Sequence, residues 1–374
     1  MKVTVRPALC SVGELFGGVE RQLLDLCEYG RRRDGAPPPL IVFHDAELAR
    51  QARARGFAVT VLAGRHRYDL ALASRLADAL RAAGANVAHA HGYKATIACA
   101  LARRRAAVAV VKTEHGRVEP AGGDPVVWLK SRLNNRLDTL ATRRAAAVVC
   151  YVTDDMRRHF DGAHAGLRRL TIPNGVDPAD PATVPRPAEL APDALQLGVV
   201  GRLTPVKGID VALRALSGLA AARPVRLNIL GEGPLADALA REAARLGVAE
   251  QVRFLGFRAD VDAFIAHFDA LLMPSSHEGL PYVLLEAMAR GTPVFASRVG
   301  GLAEVLRDGE TGALFPAGDA AALRALLARL AAEPAWGAAL GRAARADQRA
   351  RFTLDRMGAA YWAAYAQAAG GGAT

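Results

Sequence analysis

Cysteine is scarce in this chain. Cys10, Cys27, Cys99 and Cys150 are the only four, all in the first half and none in a CxxC pair. That excludes a disulfide framework and matches no zinc spacing, which leaves four buried free thiols as the reading. Aromatic residues are few, at 6%. With no aromatics interleaved among the cations and no recognisable nucleic-acid module, a nucleic-acid binder is excluded. No stretch approaches the roughly 18 uninterrupted apolar residues of a membrane span. The opening MKVTVRPALC lacks a charged segment followed by an apolar one and reads as a strand over residues 2–5. No secretory leader and a cytoplasmic protein are therefore expected.

What is present is ample core material. The 374 residues are 51% hydrophobic and 23% charged, enough for two ordinary domains and too apolar for disorder. Net charge is +11 and uneven. Residues 1–180 hold 28 Lys and Arg against 18 Asp and Glu, whereas residues 181–374 hold 20 against 19. A basic first half suits an anionic partner: a membrane surface or a phosphate-bearing substrate. A genome bias toward arginine accounts for the same excess equally well.

Strand-like and helix-like runs alternate. The strands expected in the first half are 2–5, 40–43, 58–62, 86–90, 108–112 and 147–151, with helices such as 19–33 and 69–83 between them. This is a βαβ series and predicts a parallel sheet. Six prolines between residues 173 and 192 (Pro173, Pro178, Pro181, Pro185, Pro187 and Pro192) then interrupt the pattern. The series restarts at 195–201 and continues through 226–230, 252–256, 270–274, 293–297 and 313–315, before an Ala/Tyr/Trp-rich helix over 353–369. The expected division is residues 1–177, a proline-rich linker 178–194, a second domain 195–352 and a C-terminal helix 353–374 that packs back on the first domain. Ligands of such sheets bind beyond the carboxyl ends of the strands.

The chemistry-bearing motifs fall at those ends. LFGGVE puts Gly17 and Gly18 between the first strand and its helix, where backbone can approach an anion. HAHG and TEHG close neighbouring strands, so His91 and His115 share one rim, with Lys112, Glu114 and Arg117 beside them. No third ligand is spaced for metal; His91 reads as a substrate hydrogen-bonding group or as a histidine satisfied by a carbonyl. VVGRLTPVKGID places Arg202 and Lys207 in a strand–helix turn, the composition of a diphosphate clamp.

GEGPLA matches a relaxed dinucleotide fingerprint through Gly231, Gly233 and Ala236, with Glu250 in range, although it sits on the second strand of its half. Pro234 there also fits a helix start. The most specific segment is PSSHEGLPYVLLEAMARGTPVFAS, residues 274–297. Glu278 precedes a helix opened by Pro281, and Gly279 and Leu280 offer N–H groups at its start. Glu286 lies among apolar residues and needs a partner, such as a pair of ligand hydroxyls or an arginine. Asp260 and Asp262 form a DxD triplet that reads as helix N-capping rather than metal binding.

In their order, GGVE, HAHG, TEHG, NGVD, GRL-x4-KG, GEGP and the Glu-x7-Glu segment resemble the retaining glycosyltransferases of family 4. The resemblance covers nearly the whole chain. It implies an α/β fold of GT-B type: two facing Rossmann-like, doubly wound parallel-sheet domains with a cleft. It implies that Arg202 and Lys207 hold the diphosphate of a nucleotide-sugar donor, that Glu278 faces the donor sugar with Gly279 and Leu280, and that Glu286 accepts the ribose hydroxyls. Gly17 and Gly18 would approach the phosphates, His115 would touch the sugar, the backbone near Phe257 and Arg258 would border the base, and His91 would belong to the acceptor side. No cofactor or metal is expected, and the partners are the donor and a glycan or lipid-linked acceptor in bacterial surface polysaccharide synthesis.

Two other enzyme classes compete: a nucleotide-sugar epimerase of the same fold, against which the paired glutamates speak, and a dinucleotide-dependent oxidoreductase resting on GEGPLA. Residues 126–140, VVWLKSRLNNRLDTL, mix Trp, Leu and Val with Lys130, Arg132 and Arg136. They fit either an anionic lipid surface at the inner face of the membrane or, the favoured expectation, an amphipathic helix packed on its own domain.

Overall fold

The structure is a computed structural model that describes residues 4–14, 16–63, 71–116, 125–180 and 184–370. Two compact units divide the chain: Met1–Asn174 with Leu354–Thr374, and Gly175–Thr353.

The first unit runs β1 (Pro7–Ser11), α1 (Gly18–Asp34), β2 (Leu40–Val42), α2 (Glu47–Ala54), β3 (Val59–Val61), α3 (Ala71–Ala82), β4 (Val87–His91), α4 (Tyr93–Ala106), β5 (Ala109–Glu114), α5 (Pro125–Ala145), β6 (Ala146–Tyr151), α6 (Asp154–His159) and β7 (Arg169–Thr171). Its sheet is parallel in the order β3-β2-β1-β4-β5-β6-β7. The first strand is PALCS; of the strand expected over residues 2–5, residues 2 and 3 lie outside the described residues, and Thr4 and Val5 precede the strand. All five of its residues are buried between β2 and β4, and Pro7 is tolerated because it stands at the strand's first position. Three-residue β7 was not expected; a short, half-buried edge strand carries no alternating apolar signature.

The second unit runs β8 (Leu195–Val200), α7 (Ile209–Leu216), β9 (Val225–Leu230), α8 (Ala236–Arg245), β10 (Val252–Gly256), α9 (Val261–Ala266), β11 (Ala270–Met273), α10 (Tyr282–Arg290), β12 (Val294–Ser297), α11 (Gly300–Val305), β13 (Ala313–Phe315), α12 (Ala320–Ala332) and α13 (Pro334–Arg351). Its parallel order is β10-β9-β8-β11-β12-β13. Both sheets are doubly wound. The strand order reverses beside β1 in the first unit and beside β8 in the second, and ligands of such sheets bind at these switch points.

The last helix, α14 (Leu354–Gly370), belongs to the first unit. It buries Met357, Tyr361, Trp362 and Tyr365 in one core with Leu23, Leu24, Val87 and Val111. A separate core on the other sheet face holds Ala88, Ala90, Val110 and residues of α3 and α4. Trp362 also donates from Nε1 to Asp34 at 2.9 Å. The four cysteines are free and buried.

The proline-rich segment is held on the second unit. Leu190 is buried, Glu189 pairs with Arg258 at 3.0 Å, and His267 Nε2 meets the Val184 carbonyl at 3.1 Å. Pro181 and Arg117 lie outside the described residues. No helix among the described residues is long and apolar enough to cross a membrane.

Candidate active site

In the second unit the switch point is built from the β8–α7 and β11–α10 turns. Their backbones touch: Ser276 N donates to Val206 O at 2.8 Å. Gly208 is left-handed at φ 59°, and a Cβ there would stand 2.2 Å from Pro274 O. Only glycine fits that approach. The contact brings Lys207 onto Glu278, with Nζ donating to Oε1 at 2.6 Å. Ser275 Oγ donates to the same oxygen at 2.7 Å. Oε2 of Glu278 has no partner among the described residues, which leaves it free to accept a ligand hydroxyl. Gly301 N donates to Glu278 O at 3.2 Å, fixing that backbone from the next turn.

Arg202 is exposed on the same loop as Lys207, and its guanidinium has no hydrogen bond or ion pair among the described residues. The two cations expected to form the clamp are thus one unpaired guanidinium and one ammonium already matched by a carboxylate. Sequence spacing could not show this, because the pair spans 71 positions.

Helix α10 starts later than expected. Pro281 is the N-cap, with φ −72° and ψ 138°, and the helix begins at Tyr282. A residue before proline is steered away from the helical region, so Leu280 cannot join the first turn. Gly279 and Leu280 therefore lie in the preceding loop, and Leu280 is buried. Glu286 sits half-buried in the second turn of α10 and has interactions of its own.

The charged side chains around α9 pair among themselves. Arg258 is held by Asp260 through two 2.8 Å bonds and by Glu189, so its guanidinium is matched within its own unit. Asp260 occupies the N-cap position of α9, but its side chain accepts from Arg258 and not from the helix. Asp262 pairs with Arg290. The DxD triplet therefore serves ion pairs.

The GEGP glycines serve backbone packing. A Cβ on Gly231 would fall 2.0 Å from Gly201 O, and one on Gly233 would fall 2.5 Å from Leu203 O. Pro234 precedes the Leu235 N-cap rather than opening α8. Glu250 stands before β10, at the opposite end of the parallel strands from the β9–α8 turn, where it cannot reach a ribose bound at that turn. The turn also lies off the switch point. The dinucleotide reading loses its supports.

In the first unit, alternation sets the site. Val87, His89 and His91 share the β4 face toward α14, and Thr113 opposite His91 continues that face on β5. His115, two residues on, joins them. His91 Nδ1 meets His115 Nε2 at 2.8 Å, and His91 Nε2 meets His89 Nδ1 at 3.2 Å. Both nitrogens of His91 are engaged and its surface is 1% exposed, so it cannot bind an acceptor directly. It supports His115 instead. Burial lowers the histidines' affinity for protons: His115 falls to about 4, while His89 and His91 fall well below the ordinary value, with neighbouring imidazoles adding to the effect.

On the opposite face, buried Lys112 bridges Glu114 and Asp138 at 2.6 Å each and donates to Thr142. At the β1–α1 turn, Gly17 N already donates to Glu20 Oε2 at 3.0 Å, and Gly18 is exposed at the first helical position.

Helix α5 presents its polar Asp138 and Thr142 inward and its large apolar residues outward. Trp128, Leu129, Leu133, Leu137 and Leu140 are 42–63% exposed. This reverses the expectation of an apolar face packed on its own domain.

Residues 184–350 match the family model "Glycosyl transferases group 1", and residues 16–180 match "Glycosyltransferase Family 4". A D-inositol 3-phosphate glycosyltransferase of Mycobacterium marinum is 32% identical over 371 residues, covering 91% of this chain and 77% of that protein. The protein of the same name from Geodermatophilus obscurus is 33% identical over 269 residues, covering 65% of this chain and 60% of that one. The alignment to an Actinosynnema mirum relative, 39% identical, spans 52% of its length.

Anabaena HepE in complex with UDP-glucose superposes with a TM-score of 0.81 at 22% identity, covering 96% of this chain and 98% of HepE. Sucrose-phosphate synthase from Thermosynechococcus elongatus superposes at 0.77 and 20% identity, covering 97% and 99%. At these identities the solved structures share the fold.

Proposed function

Because the chain belongs to the family 4 glycosyltransferases, with two Rossmann-like units of the GT-B class, we propose that it transfers a sugar from a nucleoside-diphosphate sugar to an acceptor hydroxyl, with retention of anomeric configuration. The observation that carries this reading is the meeting of Lys207, Glu278 and Ser275 at the switch point of the second unit, beside unpaired Arg202. HepE, a protein of the same fold, binds UDP-glucose.

In this reading Arg202 and Lys207 stabilise negative charge as the sugar–phosphate bond breaks, the largest expected contribution to catalysis. Glu278 uses its free Oε2 to orient a sugar hydroxyl, and Glu286 accepts the ribose hydroxyls. His115 touches the sugar. The departing phosphate takes the acceptor proton, so no second carboxylate is needed as base, unlike the paired acids of hydrolases. No metal enters the scheme.

The acceptor we propose is a glycan or lipid-linked molecule of bacterial surface polysaccharide synthesis, met at an anionic membrane. Helix α5 supports this. Its outward leucines and Trp128 stand among Lys130, Arg132, Arg136, Arg143 and Arg144, an apolar-and-cationic face suited to a headgroup layer. The relatives named for D-inositol 3-phosphate favour a second reading, a small phosphorylated acceptor, which the basic first half also suits.

A thermal-shift panel of UDP, GDP, ADP and TDP, followed by sugar-transfer assays on both acceptor types, tests the proposal. A nucleotide that binds only the folded protein raises its melting temperature. Absence of any shift, together with a shift by NAD, would overturn it.

A further inference from the structure

Glu114 brings a charge that its neighbours in the first unit do not need. Alternation along β5 puts Val110, Lys112 and Glu114 on the face away from α14. There the buried Lys112 ammonium donates to Asp138 Oδ2 at 2.6 Å and to Thr142 Oγ1 at 3.1 Å. A buried ammonium needs one counter-charge and oxygen acceptors for its N–H groups. Asp138 supplies the charge and, with Thr142, two of the acceptors. Glu114 Oε1 also stands 2.6 Å from the ammonium, as an ion pair that receives no hydrogen bond.

No other cation offsets this second carboxylate. Its one further charged neighbour among the described residues is His164, whose Nε2 lies 3.9 Å from Glu114 Oε1. His164 is buried with Nδ1 on the Tyr151 hydroxyl at 2.7 Å, and burial lowers it to about 4, so it is neutral near pH 7. The cluster therefore sets one ammonium against two carboxylates. Glu114 Oε1 and Asp138 Oδ1 are both buried without a hydrogen-bond donor. Burial pushes the Glu114 carboxyl up; Lys112 opposes the shift and Asp138 adds to it. An unmatched charge in such surroundings destabilises the fold. Packing of the first unit gives no reason for a glutamate here.

Its location does. Glu114 is the last residue of β5, at the carboxyl end of the sheet where ligands of doubly wound sheets bind, and His115 follows it. The side chain is 13% exposed. Oε1 is buried, whereas Oε2 reaches the surface and has no partner among the described residues. A carboxylate oxygen only accepts, so Oε2 takes an O–H or N–H and repels a phosphate oxygen. Glu278 in the second unit has the same arrangement, with one oxygen on a lysine at 2.6 Å and the other open.

We propose that Glu114 is an acceptor-binding residue: Lys112 holds its Oε1, and its Oε2 takes a hydrogen bond from a neutral hydroxyl of the acceptor. The substrate group at the end of β5 is thus a sugar or polyol hydroxyl, and any phosphate on the acceptor lies elsewhere. Asp138 and Thr142 serve to hold Lys112. The assignment rests on the glycosyltransferase reading; the surplus charge does not.

Glu114→Gln in the full chain tests it, because the glutamine keeps an oxygen toward Lys112 and loses the charge. Transfer is measured from the sugar nucleotide that raises the melting temperature, with glycerol and methyl α-glucoside as neutral probe acceptors. The acceptor KM should rise and kcat/KM should fall at least about tenfold, as for a lost hydrogen bond to a charged group. Affinity for the nucleotide, read by calorimetry, should stay within about twofold. The melting temperature should hold or rise, since Lys112 keeps Asp138. An unchanged acceptor KM, nucleotide affinity lost in step with transfer, or a melting temperature several degrees lower, as for a purely structural ion pair, overturns the proposal. So does a protein that binds sugar nucleotides yet transfers to neither probe. A protein that binds no nucleotide removes the proposed function and this assignment with it, whereas nucleotide binding without the acceptor effect removes this assignment alone.

Discussion

Glu278→Gln should move two properties in opposite directions. The carboxylate accepts from Lys207 and Ser275 on one oxygen, and the glutamine carbonyl can accept both. Geometry is retained and only the charge is lost. The pair is partly exposed, at 24% for the Lys207 side chain and 11% for Glu278, so lysine rehydrates in part. The stability change should be about 1 kcal/mol or less, a shift of no more than about 4 °C in melting temperature.

Removing a negative charge beside Lys207 should tighten binding of a bare nucleoside diphosphate several-fold, on the order of 1 kcal/mol at an effective dielectric near a protein surface. Transfer should fall. A charged hydrogen bond from Oε2 to the sugar contributes about 1.5–3 kcal/mol, so kcat/KM should drop roughly 10- to 150-fold. Calorimetry with UDP and GDP, and initial rates with the matching sugar nucleotide, measure the two. Turnover within about twofold of the unsubstituted protein, or weaker nucleotide binding, would refute the assignment of Glu278 to the sugar and Lys207 to the phosphate.

Other outcomes follow from single features. Gly208→Ala puts a Cβ 2.2 Å from Pro274 O at a positive φ; it should cost about 2 kcal/mol or more and abolish nucleotide shifts, and a variant that melts and binds normally would sink the role of that contact. Arg202→Ala should weaken nucleotide binding and flatten its salt dependence, read by calorimetry at two ionic strengths. The buried histidines make stability depend on pH: the folded values of His115 and His164 are about 4, below the ordinary 6.5. The unfolded chain then binds protons first as pH falls, so stability is intact above about 6.5 and is lost progressively toward 4, by up to about 1.4 kcal/mol per histidine per pH unit. Equal melting temperatures at pH 7.5 and 5 would contradict this. Replacing Leu129 and Leu133 by Ser should abolish flotation with anionic liposomes, and flotation unchanged by the double substitution would exclude α5 as the contact.

Much of the architecture is legible in local sequence. Val225–Leu230, Val252–Gly256 and Ala313–Phe315 declare themselves as apolar runs bounded by turn residues. The ends of β4, β5, β8 and β11 were marked by HAHG, TEHG, GRL and PSSHEG because a turn after a buried strand needs glycine, proline or polar residues whatever lies around it. The family resemblance rested on the order of such motifs. Two local rules misled: Thr4 and Val5 have strand composition but PALCS has the buried neighbours, and Glu250 lay at the right count but at the wrong end of the strands.

Partner identities were not legible. His89 finds Tyr365 across 276 positions and Lys207 finds Glu278 across 71. No periodicity within a window of a turn or two reports such pairs. Helix α5 shows the same limit from the other side: its apolar residues were plain, but the inward direction of Asp138 was set by buried Lys112 on β5. By itself the sequence determined two series of parallel strands, the turns where ligands bind and the residue types placed there, since these follow from short-range sterics and hydrophobic spacing. Tertiary structure alone decided which charges arrive already neutralised, which histidine faces outward and which helix face stays bare, since each depends on what the rest of the chain packs against it.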